Sequence, residues 1–94
     1  QYRDERTERM RNNYVEKLRN TFNSDANDLI DKIMNMNVED FYDMYQMIDE
    51  FDFNEIYIQD YLADIGMYNG DFTKTLEGYI DRYQRGDFPS LKDI

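Results

Sequence analysis

The sequence contains no cysteine, histidine or tryptophan, and proline occurs once, at Pro89. Disulfide scaffolds, zinc fingers, thiol or imidazole nucleophiles and haem ligation therefore lack their atoms. No apolar run approaches the roughly 20 residues that a membrane span needs, and no basic stretch leads into a hydrophobic one as in a signal peptide. A soluble chain with no membrane partner is expected, with an intracellular setting favoured because nothing argues for secretion. The first residue is Gln1 and not Met, which reads as a fragment or a processed chain.

In the 94 residues, 21 acidic side chains stand against 11 basic ones, for a formal charge of -10. Such polarity often marks disorder, because too little apolar surface cannot offset chain entropy. Nine Tyr and six Phe argue otherwise, since each packed ring covers on the order of 150–250 Å². The expectation is one folded acidic domain over 1–94, with residues 1–8 a frayed arm and 87–94 a C-terminal tail.

Apolar spacing predicts an all-α fold, a small bundle of about four to five short helices. Over residues 2–22, Met10, Tyr14, Leu18 and Phe22 recur every fourth position and Val15 widens the stripe, while Arg3, Arg6, Arg9, Arg11, Lys17 and Arg19 fall mostly on other faces. Asn23 and Ser24 offer a break and a cap before a short helix from about 25 to 34. Asn37 can cap a third helix carrying Phe41, Met44, Tyr45 and Ile48, with Asp40 placed to reach back to it. Residues 51–58 suit either an extended or a helical state; a cap at Asp52 or Asn54 and the series Tyr57, Tyr61, Leu62, Ile65 favour a helix over 54–65, stopped by Gly66. Asn69-Gly70-Asp71 makes a turn and cap for a last helix over 71–85, with Phe72, Leu76, Tyr79, Ile80 and Tyr83 on one face.

Charge is unevenly spread. Residues 1–19 carry six basic and four acidic groups, whereas residues 20–94 carry five basic and seventeen acidic. Between Glu39 and Asp64 lie nine carboxylates with no Lys or Arg among them. Since an unpaired buried carboxylate costs several kcal/mol, they are expected to form a negative surface. A calcium loop does not fit: from Asp52 the sixth position is Tyr57 where Gly is needed, and the twelfth is Ala63. From Asn69 the twelfth is Ile80. Ser24 and Ser90 have no His base, no glycine-rich phosphate loop exists, and Arg85-Gly86-Asp87 reads as a helix end and not as an integrin ligand. Neither an enzyme nor a cofactor or metal is expected.

Off the apolar stripes, Tyr and Met beside the acidic segment have the composition of a protein contact surface. The candidate partner-binding residues are Glu39, Asp40, Tyr42, Asp43, Met47, Asp49, Glu50, Asp52 and Phe53. In charge and size alone the chain resembles acidic helical nucleic-acid mimics. The reading that follows is a non-enzymatic module that binds a protein with a basic surface, as an inhibitor occupying its nucleic-acid site, with no direct nucleic-acid binding. The alternative is a scaffold, adaptor or assembly domain, including a homo-oligomer.

Overall fold

The computed structural model describes residues 4–67 and 70–86. The described chain is all-α, as the spacing predicts: α1 spans Asp4–Phe22, a 3-10 turn Asn23–Ala26, α2 Asn27–Asn35, α3 Val38–Glu50, α4 Glu55–Asp64 and α5 Phe72–Arg85. No described helix is long and apolar enough to cross a membrane. The expected tail, the turn residues Tyr68 and Asn69 and the first three residues of the expected arm lie outside the described residues. Positions 4–8 are helical, and Thr7 is already buried. Packing divides the chain into two compact units, 1–42 and 43–94, with the boundary inside α3.

In the first unit α1 packs on the 3-10 turn and α2. Its inward face is Thr7, Arg11, Tyr14, Val15 and Leu18; Ala26, Leu29, Ile30, Ile33, Met36 and Phe41 are also buried. Arg11 was expected outside, yet only 5% of it is exposed. Its position explains this: it stands three and four residues before Tyr14 and Val15, on their face of the helix. Nε and Nη2 donate to Glu8 at 2.9 to 3.2 Å. Nη1 donates to the backbone oxygens of Ile33 at 3.1 Å and Met36 at 2.7 Å, and the guanidinium lies 5.7 Å from the centroid of the Phe41 ring. One side chain thus adds hydrogen bonds to carbonyls at the negative end of α2 and gains a carboxylate and an aromatic face. Ser24 does not cap α2 with its side chain; the turn is closed by the Asn27 N–H donating to the Ser24 carbonyl, with Asn23 at φ 52°.

At the start of α3, the Asp40 N–H donates to Asn37 Oδ1 at 2.8 Å, and Asn37 Nδ2 donates to Asp40 Oδ2 at 3.1 Å. This is a capping box in which the shorter Asp meets the side-chain amide.

In the second unit α4 packs on α5. Met44, Met47, Ile48, Ile58, Leu62, Met67, Phe72, Leu76, Tyr79 and Ile80 are buried. The ambiguous stretch 51–58 resolves into a helix end, a turn and a helix start. The Asp52 N–H donates to the Asp49 carbonyl at 2.9 Å and the Phe53 N–H to the Ile48 carbonyl at 3.0 Å, the bond pair of a Schellman stop. Asp52 takes the left-handed position at φ 56°, and Phe53 follows at φ 58°. Aromatic contacts flank this strained pair. Phe53 packs on Tyr45 with centroids 5.6 Å apart, and Phe51 on Tyr61 at 5.2 Å. Asn54, not Asp52, is the cap of α4, accepting from the Ile56 and Tyr57 N–H groups. The same stop recurs after α4, where the Met67 N–H reaches the Leu62 carbonyl and Gly66 has φ 82°. Asp71 caps α5, accepting from the Lys74 N–H at 2.8 Å and the Thr73 hydroxyl at 2.9 Å. Those bonds hold its carboxyl below the usual carboxylate range.

Two substitutions check these assignments by urea denaturation. Arg11→Met is expected to cost about 2–4 kcal/mol, because it strips hydrogen bonds from buried carbonyls; a loss under about 1 kcal/mol would contradict the bridging role. Asp52→Gly is expected to gain about 0.5–1 kcal/mol by relieving a left-handed residue, and a destabilised variant would speak against the stop.

Candidate nucleic-acid interface

Helix geometry decides which charges of α1 face water together. Arg6, Arg9, Asn13, Lys17 and Asn20 are all exposed and follow one another at spacings of three or four, so they form one strip opposite the Tyr14–Leu18 face. From Arg6 to Lys17 the strip runs about 16 Å along the axis. Glu16 stands beside it, but Arg19 Nη1 donates to Glu16 at 3.1 Å and offsets that charge. Two α1 ion pairs, Glu8 with Arg11 and Glu16 with Arg19, are both i,i+3. Arg6 and Arg9 are exposed. At one end of the strip, Arg6, Thr7, Met10 and Tyr42 line a hollow of about 150 Å³.

The nine candidate residues do not form one surface. Glu39, Asp49, Glu50 and Asp52 are exposed, while Asp40, Tyr42 and Phe53 are half-buried. Asp40 is engaged with Asn37, Phe53 with Tyr45, and Tyr42 borders the hollow. Met47 is wholly buried and belongs to the core of the second unit. Asp43 is 9% exposed and accepts a hydrogen bond from the Tyr83 hydroxyl at 2.6 Å. Both are covered because α3 is buried over a wider arc than the Phe41, Met44 and Ile48 stripe: Met47 and Asp43 extend that arc to a second side of the helix. Along α3 the outward acids are Glu39, Asp49 and Glu50. Among the described residues no cluster of carboxylates is placed to hold a metal ion.

Comparison with known proteins decides between the readings. Residues 1–93 match the family model of the Phi-29 DNA terminal protein GP3. The chain belongs to the DNA terminal protein GP3 family. It is 32% identical over 88 residues to the DNA terminal protein of Bacillus phage Nf, covering 92% of this chain and 32% of that protein. The DNA terminal protein of Bacillus phage B103 is 30% identical over the same length and with the same coverage. The chain thus spans about a third of the length of these curated relatives. No solved structure matches.

Membership in the terminal-protein family overturns the inhibitor that mimics nucleic acid, along with the expectation of no direct contact with nucleic acid. The physical reason for the error is that net charge was read as the interface. A charge of -10 describes the chain as a whole, whereas phosphate contacts are made by local groups. The strip is available in the sequence as the spacing of Arg6, Arg9, Asn13 and Lys17, cations that the apolar pattern only places off the buried face.

The second unit holds a buried tyrosine beside Asp43. Tyr79 is 1% exposed and meets Tyr83 edge-on with centroids 6.0 Å apart. Burial pushes its phenol well above the ordinary value, with Tyr61 and Asp43 adding to the effect. Burial also raises Tyr61, and burial together with Asp49 raises Tyr45. The unfolded chain releases the Tyr79 proton near pH 10 while the native state retains it. The native state then binds more protons, and stability falls as pH rises above about 10. Urea midpoints between about pH 8 and 11 are expected to decline less steeply for Tyr79→Phe than for the parent; identical declines would contradict this account.

Proposed function

We propose that this chain is a DNA-binding segment of a terminal protein, that it acts at DNA ends, and that it engages the DNA backbone through the outer face of α1. Its role is binding and not catalysis. The observation that carries the reading is the exposed strip Arg6, Arg9, Asn13 and Lys17 in a member of the terminal-protein family. Arg and Lys neutralise phosphates, and Asn amides add hydrogen bonds to phosphate oxygens. The names of the relatives, DNA terminal proteins, supply the link to DNA termini. A binding role is favoured because the chain has no His or Cys and its carboxylates are mostly dispersed on open surface, where nothing separates their proton affinities.

The acidic remainder shapes this contact. With a net charge of -10, most of the surface repels phosphate, so the duplex meets α1 alone. Binding of this sort is local, modest in affinity and steep enough in salt to be measured.

The test is fluorescence anisotropy of a labelled linear duplex titrated with the chain at several salt concentrations. Binding is expected, with a log–log salt slope of about -2 to -3, corresponding to about three phosphate contacts. The double variant Arg6→Gln, Arg9→Gln should flatten that slope by about two. No binding at low salt, or a slope unchanged in the double variant, would overturn the proposal.

A further inference from the structure

The hollow beside the cationic strip has features that a phosphate contact leaves unused. It measures about 150 Å³ and is lined by Arg6, Thr7, Met10 and Tyr42, all within the first unit. Pockets for drug-sized ligands run to about 300–1,000 Å³, so this space suits one planar ring and not a whole cofactor. Its lining is divided chemically. Tyr42 and Met10 offer an aromatic ring and a polarisable thioether, surfaces on which a ring can stack. Arg6, also in the lining and exposed, offers a planar cation matched to phosphate.

We infer that this hollow receives the base of an unpaired nucleotide at a DNA end, stacked against Tyr42 and Met10, with the adjoining phosphate on Arg6. The inference rests on the proposed DNA-end reading and deepens it by naming the ligand group. Charge fixes the orientation. Glu39 stands one turn before Tyr42 on α3 and is exposed, so the Tyr42 side repels phosphate and accepts the neutral base. The phosphate belongs on the Arg6 side, in line with Arg9 on the same strip. Thr7 in the lining is 1% exposed, and the volume of about 150 Å³ leaves room for a single ring. A base paired inside a duplex cannot enter, because it is stacked on both faces; an overhanging or frayed terminal base can. Base–aromatic stacking is sequence-tolerant, so the site selects an end by its unpaired state and not by the identity of its base.

The experiment uses the full chain and duplexes bearing a one-nucleotide overhang of 2-aminopurine, with each strand polarity tried in turn, beside a blunt duplex carrying the same base internally. Anisotropy reports binding and 2-aminopurine fluorescence reports stacking. Expected is at least a two-fold fall in fluorescence for an overhang, none for the internal base, and about ten-fold tighter binding of the overhang than of the blunt duplex. Tyr42→Phe should keep the fluorescence change. Tyr42→Leu, folded by circular dichroism, should abolish it and reduce the preference to about one. Binding by anisotropy with no fluorescence change and no overhang preference in the parent chain would overturn this inference and leave the α1 reading standing. No binding to any of the duplexes would overturn both. Because the parent chain alone decides, the outcome does not depend on whether Tyr42→Leu folds.

Discussion

Arg11 is the constraint on which the first unit turns. It is a cation inside a small core, and burying a charge is costly unless its hydrogen bonds are met. Here they are met by Glu8 and by the carbonyls of Ile33 and Met36. The bond set links α1 to the end of α2, while the guanidinium sits over the ring of Phe41, so one residue ties three elements together. Fixing this face of α1 also fixes the opposite one. Arg6, Arg9, Asn13 and Lys17 are presented outward because Arg11, Tyr14, Val15 and Leu18 point in.

The second unit depends on backbone more than on charge. Successive left-handed residues at Asp52 and Phe53 let α3 end in a Schellman stop and α4 begin two residues later at an Asn54 cap. Such strain persists only where neighbours hold it, and the aromatic pairs on either side of the turn supply that hold. Asp49 and Glu50 meanwhile stand at the negative end of α3, where the helix dipole disfavours them. The acidic surface is therefore maintained at some cost in stability.

Much of this was legible in the sequence, and the exceptions have physical causes. The spacings through Tyr14, Leu18 and Leu76, Tyr79, Ile80 marked α1 and α5 because those stripes are strongly amphipathic. The face of α4 was not readable: its apolar residues surround it, so Tyr57 and Ile65 were placed in the core although they are exposed, and Ile58 with Leu62 is the buried pair. Turn chemistry around Asp52 was hidden because the left-handed position holds Asp where Gly would have announced it. Arg11 was hidden by residue type, its helical register being that of the core. Asp43 and Met47 were misplaced on the surface because α3 is covered on a second side, beyond the stripe of Phe41, Met44 and Ile48 that spacing reveals. Function was least legible. Total charge spoke for a protein that avoids DNA, and only the family relation redirected attention to the few cations that share one face.

The central claim is that this acidic chain meets DNA through one side of α1. Mapping amide chemical-shift changes on the ¹⁵N-labelled chain during titration with a short duplex bearing an overhang tests it residue by residue. The account requires the largest changes at Arg6, Arg9, Asn13, Lys17 and Tyr42. Changes confined to α4 and α5, or none at all at low salt, would contradict it.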